Sequence, residues 1–348
     1  MAQKRIAVLL GGRSGEHEVS IVSARSVIAA LDRERWLAVP IGITRSGNWL
    51  AAAETHHQLR TGATAFTGGG TPMLSARALG SLEDCDAVFP LIHGTNGEDG
   101  TVQGFLELAG LPYAGCGVAA SAVGMDKALM KALFREAGIK QARYAVIRSW
   151  EAGESSDATA YLEETIGYPC FVKPANGGSS VGVSRVRSRE DVQQALAAAF
   201  RYDDKAVVEQ AISGQEVEAS VLGNEQPEVS IVGEIVPDRE FYDYDSKYSA
   251  ASKTELHIPA RVTAAVAESV RELAARMYRV MGCEGYARVD FFVTKEGEVL
   301  ANEINTIPGF TSISMYPKLW EASGLTYPAL LTRILELAFE RHARRAAR

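Results

Sequence analysis

The sequence predicts a mixed fold, α/β in its N-terminal third and α+β beyond, on three observations. Ile6 to Leu10 is a short apolar run that ends in Gly11-Gly12, followed by a helical pattern at Ile21, Ala24, Val27, Ile28 and Leu31. This strand, glycine turn and helix open a parallel α/β sheet, with the loop at the sheet's carboxyl edge. The unit recurs at Ala87 to Ile92, where a second glycine-rich loop precedes a helix from about Thr101 to Ala109. Beyond about residue 123 the alternation loosens and strands follow strands directly, most plainly in a hairpin over residues 288–305.

Taken in order, the first loop, GGRSGEHEVS, lacks the GxGxxG spacing of a dinucleotide site, so NAD is not predicted. Glu16, His17 and Glu18 stand where such sheets bind ligands, and a solvated loop explains them equally well. Residues 44–82, rich in Gly, Thr, Ala and Ser, read as an insertion at the sheet edge without chemistry of its own. His93 opens the second loop, HGTNGEDG, as a ligand-side group or as an exposed loop histidine. A helix runs from about Met125 to Ala137, and a domain boundary is expected near residue 123.

Tyr168 to Pro174 reads as a strand carrying Lys173 in an apolar run, which requires an anionic partner. The loop Ala175 to Val183 holds Ser179 and Ser180 among glycines. Such a loop can drape backbone N–H groups over phosphates, although GxxxxGK[ST] is absent. Glu209 ends the next strand and Glu216 opens another; both suit ribose or adenine, or serve as edge charges. Val229 to Val236 is a further strand. The segment Pro237 to Thr254, with three tyrosines and two lysines, reads as a working lid. A helix over 262–281 leads to the hairpin, and helices over about 315–342 end in a basic tail, RHARRAAR, expected to be solvated.

In the hairpin, Glu296-Gly297 suits a two-residue turn, so facing residues have numbers summing to 593. Asp290 then faces Glu303 and Arg288 faces Asn305, all four on one face. Opposed carboxylates repel unless a cation lies between them. Two carboxylates and an amide oxygen form a hard set suited to Mg2+ shared with phosphates. The alternative is a surface hairpin whose charges are solvated or paired with Arg288.

Composition bounds the function. The chain has 348 residues, enough for two or three domains, with 47% hydrophobic and 23% charged residues, as in globular proteins. A net charge of -7 and a pI near 5.5 argue against nucleic acid as the main partner and favour a cytoplasmic protein. No apolar run approaches membrane-spanning length, and the first residues read as a strand, not a signal peptide. Four scattered cysteines without CxxC spacing predict reduced thiols and no zinc site.

GGRSGEHEVS, HGTNGEDGT, GMDK, FVKPANGGSSVGV, FYDYDSKY, ARVDFF and NEINTIPGFTSIS occur together and in order. In this the chain resembles the D-alanine–D-alanine ligase family of ATP-grasp carboxylate-amine ligases, in its longer-insertion branch. The resemblance implies an ATP-grasp fold behind an N-terminal open parallel α/β (pre-ATP-grasp) domain. The expected domains are 1–123, 124–216 with the phosphate loop, and 217–348 with the lid 237–254 and the metal hairpin. It also implies ligation of two D-alanines through D-alanyl phosphate for peptidoglycan, with ATP and two Mg2+ ions that Mn2+ can replace, in a homodimer.

By the same resemblance Asp290, Glu303 and Asn305 hold the metals, Lys127, Lys173 and Ser180 the phosphates, and Glu209, Gln210 and Glu216 the adenosine. Glu16 takes the first ammonium, linked to Ser179 and Tyr248. Arg288 and the Gly309 N–H face the oxyanion, Ser314 holds the second carboxylate, and His93 lies near the first. Lys247 and Tyr248 ride on a lid that is disordered without ligand. An intact DYDSKY points to the dipeptide over the rival product, D-alanyl-D-lactate.

Overall fold

The computed structural model describes residues 3–72, 80–151, 155–237, 254–311 and 313–347. Strand β1 (Lys4–Gly11) pairs in parallel with β2 (Trp36–Ile43), and short strands β3 (Asn48–Trp49) and β4 (Thr71–Pro72) extend that edge antiparallel. On the other side of β1 lies β5 (Ala87–Pro90), also parallel, giving the order β4-β3-β2-β1-β5. The apolar run in β1 has no alternation because both faces are covered. Ile6, Val8 and Leu10 enter one core, while Ala7 and Leu9 enter another with Ile41, Val88 and Leu106. Helices α1 (His17–Ala30), α2 (Ala52–Arg60) and α3 (Thr101–Leu108) follow their strands as the sequence predicts.

Helices α4 (Val118–Met125) and α5 (Lys127–Glu136) meet at Asp126, whose carboxylate caps α5 by accepting from the N–H groups of Ala128 and Leu129. Next come β6 (Tyr144–Arg148), α6 (Ser155–Thr165), β7 (Cys170–Pro174), β8 (Ser184–Val186), α7 (Val192–Ala199) and β9 (Lys205–Gln210). The four strands form an antiparallel sheet, β6-β9-β7-β8, with its own apolar core. The third sheet contains β10 (Gly214–Leu222), β11 (Glu228–Val236), β12 (Glu255–His257), β13 (Tyr286–Thr294) and β14 (Val299–Asn305). Its order is β12-β11-β10-β13-β14, packed on α8 (Ala264–Val280).

Two expectations need correction. The turn between β13 and β14 has three residues, not two: Thr294 N donates to Glu298 O, Gly297 N donates to Thr294 O, and Gly297 sits at φ +82°. A left-handed glycine closing such a loop is ordinary turn chemistry. The extra loop residue offsets the pairing by one, so Phe291 faces Ala301, until a bulge at Asn302 restores it. Asp290 therefore does face Glu303, and Arg288 does face Asn305, because two departures from a plain hairpin cancel.

The basic tail is not solvated. After α9 (Met315–Ala322), helix α10 (Tyr327–Ala346) continues through it. Arg341 is buried, donates to the carbonyls of Gly115 and Tyr113, and stacks 4.2 Å over the Tyr113 ring. Arg344 and Arg345 pair with Glu225, Glu284 and Glu107. Leu330, Leu331, Ile334, Leu335 and Leu337 of α10 enter the same core as Ile6, Val8 and Leu10 of β1.

Candidate active site

A cleft of about 1350 Å³ runs between the three sheets. Its floor is the face of the β13–β14 hairpin that carries Arg288, Asp290, Glu303 and Asn305, with Asn302 beside Glu303 because of the bulge. The opposite face, Val289, Phe291 and Val293 with Ala301 and Ile304, is core, and this fixes which side chains point into the cleft. Arg288 holds Asp290 bidentately, Nε to Oδ1 at 2.8 Å and Nη2 to Oδ2 at 2.7 Å, and its Nε lies 3.1 Å from Glu218. Lys127 Nζ is 3.4 Å from Glu303. The amide oxygen of Asn305 accepts from the N–H of Ile307.

Asp290 is thus paired with Arg288, as the alternative reading of the hairpin expected, and the cations beside the opposed carboxylates are the protein's own. Three carboxylates against two cations still leave this floor one negative charge in excess. Among the described residues no group of three His, Cys, Asp or Glu is placed to hold a metal. Two carboxylates and an amide oxygen fit Mg2+ only with phosphate and water completing its shell, the way this ion is usually bound.

The wall facing the hairpin is nucleotide-like in chemistry. Lys127 Nζ donates to the carbonyl of Gly177 at 2.9 Å, which ties α5 to the glycine-rich loop. Ser179 and Ser180 adopt φ of +50° and +60°. Non-glycine residues there cost about 1 kcal/mol or more each, a strain found mostly at binding sites. Lys173 has the anionic partner its apolar run demanded: Nζ is 2.6 Å from Glu209 Oε2. The other oxygen of Glu209 lies 2.9 Å from Lys131, an ion pair without hydrogen-bond alignment. Burial opposes charge on Glu209, but the two lysines outweigh it and hold the carboxyl down at about 2. Both oxygens therefore face lysines, and the side-chain contact to adenine expected for Glu209 has no oxygen to itself. Gln210 accepts from Arg143 at 3.0 Å through its side chain, and Glu216 lines the cleft.

At the far end Glu16 accepts from the Ser179 hydroxyl across the cleft, so the expected link between these two forms here. Ser14 fixes the Glu16 loop to the second loop, donating to the carbonyl of His93 at 2.6 Å while accepting from the Glu16 N–H. His93 is buried, not an exposed loop residue. Its Nδ1 meets the carbonyl of Ile307 at 3.0 Å and so carries hydrogen, and Nε2 meets Ser23 Oγ at 3.0 Å. Burial works against charge on this imidazole, but Glu98, 3.8 Å away, prevails and raises it. Ser314, at the N-terminus of α9, hydrogen-bonds to the N–H and hydroxyl of Thr311. A Cβ on Gly309 would lie 2.9 Å from the Ser314 hydroxyl, so only glycine leaves that corner open.

Lys247 and Tyr248, and nearly all of the expected lid, lie outside the described residues. Three groups at the site had not been singled out from the sequence. Lys131 follows Lys127 by one helical turn and so shares its face; Glu218 and Glu98 each partner an expected residue, Arg288 and His93.

Residues 5–116 match the family described as D-ala D-ala ligase N-terminus, and residues 133–336 that described as D-ala D-ala ligase C-terminus. The chain belongs to the D-alanine–D-alanine ligase family. It is 49% identical to the D-alanine–D-alanine ligase of Deinococcus radiodurans, over 97% of this chain and 99% of that one. Identity to the ligase of Geobacillus thermodenitrificans is 46%, covering 97% and 96%. Among solved structures, the D-alanine–D-alanine ligase of Coxiella burnetii superposes with a TM-score of 0.84 at 36% identity, covering 100% of this chain and 97% of that one. The VanG D-Ala:D-Ser ligase of Enterococcus faecalis gives 0.83 at 35%, covering 97% and 100%. The three-sheet fold is that of an ATP-grasp ligase.

Proposed function

We propose that this enzyme joins two D-alanine molecules to D-alanyl-D-alanine at the expense of ATP. The observation that carries the reading is one cleft in which Glu16 and Ser179, Lys127 and Lys173, and Arg288 with Gly309 line a continuous space. The carboxylate oxygen of the first D-alanine attacks the γ-phosphorus, forming D-alanyl phosphate and releasing ADP. The amine of the second then attacks the acyl carbon, the carbon–oxygen bond to phosphate breaks, and the amine loses a proton.

Glu16, oriented by Ser179, accepts the first ammonium. Lys127 and Lys173 take the phosphates beneath the loop that carries Ser180, while Glu216 and the strand end at Glu209-Gln210 bound the adenosine. Asp290, Glu303 and Asn305 would hold Mg2+, which when bound neutralises phosphate charge during transfer. Arg288 and the N–H of Gly309 oppose the charge that develops on the attacked carbonyl oxygen. Ser314, at a helix N-terminus, receives the second carboxylate, and His93 holds the wall beside the first. Lys247 and Tyr248 belong to the lid, which excludes water from the acyl phosphate.

Among the described residues no helix is long and apolar enough to cross a membrane. We place the enzyme in the cytoplasm as a homodimer with domains 1–123, 124–216 and 217–348, supplying a peptidoglycan precursor. The test is phosphate release from ATP and Mg2+ with products identified by mass, offering D-alanine alone, D-alanine with D-lactate or D-serine, and L-alanine. D-Alanyl-D-alanine as the main product, with L-alanine inert, is expected. A depsipeptide or D-alanyl-D-serine as the main product overturns the substrate assignment, and no turnover overturns the reaction.

A further inference from the structure

Lys131 has no place in the reaction just described, yet it is buried in the second turn of α5. Around it lie Tyr144, whose ring centroid is 5.5 Å from Nζ, and the small apolar cluster of Ala128, Ala175 and Val207. Its charged partner is Glu209, at 2.9 Å, and that carboxylate already has Lys173 at 2.6 Å on its other oxygen. One lysine would neutralise Glu209; two leave a surplus positive charge in a region poor in water, which is costly unless an anion completes the set. The two lysines are not equivalent. Lys173 and Glu209 line the cleft, while Lys131 stands behind them, outside its wall.

A lysine locked to a carboxylate cannot bind phosphate without stranding that carboxylate. We infer that Lys131 is a positioning residue for ATP: it neutralises Glu209 from behind, so that Lys173 can turn from Glu209 to a nucleotide phosphate. The inference rests on the assignment of Lys173 to ATP and names the device that frees it. Without Lys131, Glu209 keeps Lys173 to itself. Without Glu209 as well, Lys173 has no competing partner and Lys131 becomes dispensable.

The experiment is a double-mutant cycle on direct binding of ATP with Mg2+, measured by calorimetry in the full-length enzyme, with KM values for ATP and D-alanine alongside. K131M is expected to lose on the order of 10- to 100-fold in ATP affinity, the worth of one charged hydrogen bond, with KM for D-alanine within about twofold of wild type on the same reasoning that only the nucleotide side changes. K131R, which keeps the charge, should bind ATP nearly as wild type does, and the E209Q/K131M double variant should recover most of the loss. Wild-type affinity in K131M, or a double variant that binds no better than K131M, overturns the inference. If K131M alone does not fold, E209Q with and without K131M carries the test: equal affinities support it, and a further loss on adding K131M refutes it. Because ATP binding is read directly, a wild-type enzyme that makes no D-alanyl-D-alanine would sink the ligation reading and leave this cycle intact.

Discussion

Arg288→Met removes the guanidinium that joins Asp290 and Glu218, and its effect can be worked from the geometry. Two charge-assisted hydrogen bonds, at 2.8 and 2.7 Å, and an ion contact at 3.1 Å disappear. At about 1.5–3 kcal/mol per charged bond the loss is about 3–6 kcal/mol. Breaking a buried pair by removing one partner costs about 3–5 kcal/mol, so about 4 kcal/mol is expected. In urea unfolding this is a midpoint lowered by roughly 1 M or more at unchanged slope. Adding Mg2+ without nucleotide should recover part of the loss in the variant and do less for wild type, because the ion replaces the missing charge between the carboxylates. Turnover should fall by about 100-fold or more if the guanidinium opposes the developing oxyanion. A midpoint unchanged within error would refute the buried-pair reasoning, and turnover within about tenfold of wild type would refute the assigned role.

Gly309→Ala places a methyl 2.9 Å from the Ser314 hydroxyl; kcat should fall by roughly 10- to 100-fold with ATP binding intact, as a displaced oxyanion donor predicts, which steady-state kinetics would show. Glu209, held at about 2 against an ordinary 4.5, stabilises the fold above the unfolded value and loses that contribution as pH falls through the native one. The stability curve of Glu209→Gln between pH 5 and 2 should therefore be flatter than wild type by roughly 3 kcal/mol, and curves of equal slope would remove the basis for this pairing. Arg341→Met, by emptying the clamp on the Tyr113 and Gly115 carbonyls, should lower Tm by roughly 5 °C or more while leaving kcat unchanged, measured by thermal melting and phosphate release.

Strand–turn–helix order and the hairpin were legible because both rest on local rules, glycine turns and alternating faces. The hairpin also shows how a correct contact can be reached by an incomplete route. Facing positions at Asp290 and Glu303 follow from a two-residue turn, whereas the chain reaches them with a three-residue turn and a bulge. No local signal marks a bulge at Asn302. Lys173 announced itself, since a lysine in an apolar strand demands an anion, but the anion's second cation did not. Lys131 looks like any exposed lysine of an amphipathic helix until β9 brings Glu209 over it. The tail failed for a similar reason: RHARRAAR is basic in isolation, and only the packing of α10 supplies Glu107, Glu284 and the carbonyls of Tyr113 and Gly115.

The shared core of β1 and α10 also constrains how this chain is made. Ile6 and Leu337 lie more than three hundred positions apart in sequence yet pack into one cluster. At roughly 5–20 residues per second, a ribosome needs on the order of a quarter of a minute to a minute to travel from one to the other. During that interval one face of the leading sheet waits uncovered. Nascent chains should therefore need a chaperone to shield that face, and a premature stop ahead of residue 327 should leave even the earliest segment unable to finish folding.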